Sequence, residues 1–65
     1  MSYKLSAGEE IRILTMQRWG TSWDAVEKLL RRYGYSGESL AACKECYDRG
    51  VKRDNMLRSV NYRND

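Results

Sequence analysis

Histidine and proline are absent from this chain of 65 residues, and cysteine occurs only twice. The lack of histidine removes the usual general base, the usual zinc ligand and the usual pH switch together. That exclusion weighs against an enzyme. No apolar run approaches the ~20 residues that a membrane-spanning helix needs. The opening Met1-Ser2-Tyr3-Lys4 also lacks the apolar stretch of a signal peptide. These absences predict a cytoplasmic, intracellular protein in which Cys43 and Cys46 are reduced thiols.

What is present favours a small folded domain. Hydrophobic residues make up 42% of the chain, including two Trp and five Tyr. A chain this short sits near the lower limit for folding without a disulfide or metal. A few large buried side chains, each contributing roughly 1.5–3 kcal/mol, must offset the ordering entropy. The length allows one domain over 1–65, with a helical core over about 5–51 and a C-terminal extension over 52–65.

Without proline, punctuation falls to glycine. Gly20, Gly34 and Gly50 each follow a helix-like segment and read as C-caps. Ser6-Ala7-Gly8-Glu9 has capping-box spacing, so a first helix is expected from Ala7 to about Trp19. Ile11, Leu14 and Arg18 share one of its faces, with Ile13 and Met16 broadening the apolar side. A second helix follows Thr21 or Ser22. Its Trp23, Val26, Leu30 and Tyr33 recur at helical spacing, with acidic residues early and basic ones late, as the helix dipole favours. Ser36 would cap a third helix running to about Arg49, with Leu40, Cys43 and Tyr47 inward. Asp54 can cap a brief further helix bearing Leu57 and Val60, and Asn61–Asp65 is expected to fray. The fold class is all-α: a compact three-helix bundle of helix-turn-helix type with room for a short C-terminal helix. The predicted core is Leu14, Trp23, Val26, Leu30, Leu40, Cys43 and Tyr47, surrounded by Ile11, Trp19 and Tyr33.

Chemistry-bearing patterns are few. Cys43-Lys44-Glu45-Cys46 is a CxxC motif, but structural zinc needs four ligands and a redox cysteine usually opens a helix. Cys43 reads as a small core residue, and Cys46 as one at the core's edge, partly exposed. Glu9 and Glu10 are adjacent, so on a helix they diverge and cannot form a facing acid–base pair. No phosphate-cradling glycine loop is present. The expectation is no catalytic residue, no metal site and no cofactor or small-molecule substrate.

Leu5-Ser6-Ala7-Gly8-Glu9-Glu10, Gly20-Thr21-Ser22-Trp23-Asp24-Ala25-Val26 and Ser36-Gly37-Glu38-Ser39-Leu40 together resemble the Myb/SANT branch of homeodomain-like helix-turn-helix domains. Leu5 stands where that family has its first Trp, Trp23 where it has its second, and Tyr47 takes the core position of the third. The resemblance covers about Leu5 to Val51. It implies a trihelical domain whose third helix reads DNA in those members that bind DNA. It does not exclude protein binding, because SANT-type domains also bind protein segments.

Charge distribution bears on that implication. Net charge is +3, yet residues 36–50 carry Glu38, Glu45 and Asp48 against Lys44 and Arg49, a net −1, while 51–65 carry a net +2. A groove-reading helix lies among phosphates, where acidic residues are unfavourable. Phosphate contacts would fall to Arg31, Arg32, Lys52, Arg53 and Arg58, with the two pairs flanking the third helix. A Glu of this helix could accept from cytosine, and Ala41 or Ala42 could meet a thymine methyl. The candidate DNA-contacting set is Arg31, Arg32, Ser39, Ala42, Lys44, Glu45, Arg49, Lys52 and Arg53. The preferred expectation is a small DNA-binding transcriptional regulator, for which a homodimer suits the limited reach of one short helix. The alternative is a protein-binding adaptor or inhibitor, viral or mobile-element encoded, using Ala41, Ala42 and surface tyrosines on a host protein.

Overall fold

The computed structural model describes the backbone of residues 3–63 and the side chains of residues 3–57. It contains three helices: α1 (Ala7–Arg18), α2 (Trp23–Arg32) and α3 (Glu38–Arg63). The first two form where local signals are strongest. Ser6 Oγ accepts from the Glu9 amide at 3.3 Å while Glu9 Oε1 accepts from the Ser6 amide at 2.8 Å, closing a capping box. Ser22 Oγ accepts from the Ala25 amide at 3.4 Å and caps α2. Gly20 and Gly34 end these helices at φ +85° and +96°, values that L side chains rarely adopt.

The connection into α3 departs from expectation. Ser36 does not cap it through its hydroxyl; its amide donates to Ser39 Oγ at 2.9 Å and its carbonyl accepts from that hydroxyl at 2.6 Å. Gly37, at φ +54°, makes the turn possible.

Gly50 does not end α3. Its missing side chain serves packing instead: a Cβ there would lie 2.7 Å from Gln17 Oε1 and 2.8 Å from Leu14 Cδ2. Nor does Asp54 start a separate C-terminal helix. It lies within α3 and accepts from Gln17 Nε2 at 2.9 Å. The third helix and the expected brief fourth are one element of 26 residues. Of Asn61–Asp65, where fraying is expected, the backbone of residues 61–63 is helical; residues 64–65 lie outside the described residues, as do the side chains of Arg58 and Val60.

Contacts fix the arrangement. Glu10 lies by Cys46, Leu14 and Gln17 by Gly50, and Gln17 by Asp54, so α1 and α3 run in the same direction. α2 runs back against α3: Tyr47 donates to the Thr21 carbonyl at 2.7 Å, and its ring meets Trp23 edge-on with centroids 5.6 Å apart. At ~1.5 Å per residue α3 is about 39 Å long, twice the length of α1. Its far end therefore outruns both neighbours, and the molecule measures 46 × 25 × 17 Å.

Ile13, Val26, Leu30, Leu40, Cys43 and Cys46 form the buried core, flanked by half-buried Leu5, Leu14, Met16, Trp23, Tyr35 and Tyr47. Three residues expected around it are outside: Ile11 is 65% exposed, Tyr33 62% and Trp19 83%. Trp19 and Tyr33 are the C-cap residues of α1 and α2, where the chain turns away from the core. Ile13 replaces Ile11 because α1 turns its 9-13-16 side, not its 11-15-18 side, inward. Cys46 is also fully buried, not partly exposed, because α1 closes over it at Glu10.

Candidate nucleic-acid interface

The residues expected to meet DNA are spread from the end of α2 along α3. Arg31 and Arg32 end α2, near the start of α3, whereas Lys52 and Arg53 lie within α3, about 20 Å further along its axis. Because α3 runs on to Arg63, Lys52 and Arg53 are part of that helix and do not follow it. Arg31 Nη2 is 3.2 Å from Glu27 Oε2 one turn earlier. Lys44 Nζ is 2.7 Å from Asp48 Oδ1 and stands 5.6 Å from the Trp23 ring centroid. Both cations are already engaged within the protein. Ser39 is occupied in the turn before α3, and Ala42 is half-buried where the segment Tyr3-Lys4-Leu5 passes over α3. Exposed Glu38 and Glu45 border Ala42.

Arg49, Lys52 and Arg53 differ from these. They are exposed at i, i+3 and i+4 along about one turn of α3. Among the described residues, none has a carboxylate within salt-bridge distance. Arg49 and Arg53 line a depression of about 340 Å³ between α1 and α3, together with Glu10, Leu14, Cys46 and Gly50. Arg18, which the sequence pattern assigned to an apolar face, is exposed on the outward 11-15-18 side of α1. The last turn of α1 tolerates it because the dipole favours a cation there.

The thiols carry no exposed reactivity. Burial pushes Cys43 up from its ordinary value, reinforced by the Glu9 charge. Burial pushes Cys46 up as well, with the Arg49 guanidinium pulling the other way. No group of three or more metal-ligating side chains occurs among the described residues.

The most connected polar cluster is one the sequence reading missed. Glu9 Oε2 accepts from Tyr3 OH at 2.7 Å and from Tyr35 OH, which ties the N-terminal segment to the α2–α3 turn. The Ser6 amide, then Tyr35 and Tyr3, hold the Glu9 carboxyl down at about 2. The bond to Glu9, then burial, pushes Tyr35 up to about 12. Tyr3 and Tyr35 also meet edge-on, with centroids 6.5 Å apart. These tyrosines hold the fold together at the end opposite the basic turn. No helix is long and apolar enough to cross a membrane among the described residues. No protein-family model, no curated protein and no solved structure matches this chain.

Proposed function

We propose that the protein binds DNA through the second half of α3, with the phosphate backbone as its principal contact. The observation that carries this reading is the single turn bearing Arg49, Lys52 and Arg53, exposed and without acidic partners among the described residues. Clustered like charges repel one another, and an anionic surface relieves that repulsion. The Myb/SANT resemblance and the net charge of +3 point the same way. Recognition of base sequence is weak on this reading, because Ser39 and Ala42 are engaged elsewhere and Glu38 and Glu45 face outward. A regulatory use in transcription rests on occupancy of DNA rather than on a detailed base code.

The test is binding of a labelled duplex, followed by fluorescence anisotropy as salt is varied. Three neutralised phosphates give a slope of log K against log salt of about −3. A flat salt dependence, or no binding at low salt, removes the proposal. A second reading, docking onto a protein, is favoured by one observation: Trp19 is 83% exposed, with Met56 at 68% and Leu57 at 56%. Salt-insensitive capture of one protein in fixed ratio, lost on Trp19→Ala, would establish it instead.

A further inference from the structure

The outward face of α3 touches neither α1 nor α2. Ala41, Glu45, Asp48, Lys52 and Met56 follow one another along it at steps of four, three, four and four, the spacing of a helical stripe. All five are exposed, Met56 at 68%. Shallow depressions run beside them, one of about 360 Å³ lined by Glu45, Asp48, Arg49 and Lys52. Another, by Ala41, is lined also by Tyr3, Glu38, Ala42 and Glu45. The stripe is acidic towards its start and basic, then apolar, towards its end.

We infer that this face docks a second copy of the same chain, with the two α3 helices antiparallel and the two-fold axis crossing between residues 48 and 49. In that register Glu45 of each copy faces Lys52 of the other, and Met56 of each faces the small Ala41 of the other. Every contact is made twice, as an isologous interface requires. A parallel pairing sets Glu45 against Glu45 and Lys52 against Lys52, so the charge order selects the antiparallel one. Met56 supplies a flexible apolar knob, and Ala41 leaves room for it.

The symmetry has a consequence for the basic edge. A two-fold axis perpendicular to both helices keeps the same side of each copy on the same side of the dimer. Arg49 and Arg53 lie on the edge of the stripe nearer α1, since both line the depression with Glu10 and Leu14. The dimer therefore gathers two Arg49 and two Arg53 on one side. In this register Lys52 is engaged by Glu45 of the other copy, so the cations the dimer leaves for phosphate are Arg49 and Arg53. Self-association does not depend on the DNA-binding reading, and its test contains no DNA, so the two can fail separately.

Sedimentation velocity of the full chain at micromolar to millimolar concentration is the measurement. The unmodified chain is expected to show a reversible monomer–dimer equilibrium. Glu45→Lys alone, or Lys52→Glu alone, should raise the dimer dissociation constant about tenfold or more, by placing like charges together at two points. An equimolar mixture of the two single variants should regain the dimer, as should the double variant E45K/K52E. A chain mixture of A41C and M56C should form an intermolecular disulfide more readily than A41C alone. Circular dichroism checks that each surface variant stays helical. A wild-type chain that is monomeric throughout overturns the inference. So do single variants that dimerise like wild type, or a helical double variant that stays monomeric.

Discussion

The two halves of α3 share one helix and little else. The first half is pressed between α1 and α2 and places Leu40, Cys43 and Cys46 in the core. Its cation Lys44 is held by Asp48 and by the Trp23 ring. The second half passes beyond α2, meets only the last turns of α1, and leaves Arg49, Lys52, Arg53, Met56 and Leu57 exposed. A helix with a covered half and a bare half divides labour: one half holds the domain together, and the other is free to meet something else.

That contrast can be broken most directly by truncating one leucine on each side of it. Leu30, buried against the first half, should cost about 2–5 kcal/mol on Leu30→Ala. Leu57 in the second half should change stability by under about 0.5 kcal/mol on Leu57→Ala. Urea denaturation reads both, and equal losses would show that the two halves are packed alike. Gly50 marks the boundary. Gly50→Leu should cost about 1–3 kcal/mol by overpacking against Leu14 and Gln17, measured in the same way. A neutral result would mean that α1 and α3 are not in close contact there.

Binding sharpens the comparison next. Arg53→Gln should weaken duplex binding and make the salt slope shallower by about 0.9, the contribution of one phosphate. Arg31→Gln, which removes a cation already paired with Glu27, should leave the slope unchanged. The smallest effect concerns pH and the end of the bundle remote from the basic turn. Because Glu9 is held at about 2 in the folded protein, its contribution is present above its ordinary value of 4.5 and is lost as pH falls from there towards 2. Tyr35, raised from 10.0 to about 12, contributes below its ordinary value and loses that contribution as pH rises through this window. Glu9→Gln should flatten the acid limb of a stability–pH curve, and Tyr35→Phe the alkaline one.

Local chemistry made the first two helices legible. Ser6 with Glu9, Ser22, Gly20 and Gly34 act within a few residues of themselves, so their roles follow from spacing alone. Gly50 looks like Gly20 and Gly34 in sequence, yet it serves a different end. A glycine that lets another helix approach cannot be told from one that stops its own helix until the neighbour is in place. The same limit applies to Ile11 and Ile13, since two steps along a helix turn a side chain by about 200° and only the position of α3 decides which is covered.

By itself, then, the order of residues settled that this chain is helical, where α1 and α2 begin and end, and that Val26, Leu30, Leu40 and Cys43 are apolar anchors. Those outcomes depend on hydrogen bonds and periodicities that span a turn or two. Tertiary structure alone decided that α3 continues through Gly50 and that Cys46 is sealed while Trp19 is bare. Each of these depends on contacts between residues distant in the chain, where burial is a property of the assembled helices; the pairs Arg31–Glu27 and Lys44–Asp48, one turn apart on a single helix, are by contrast local.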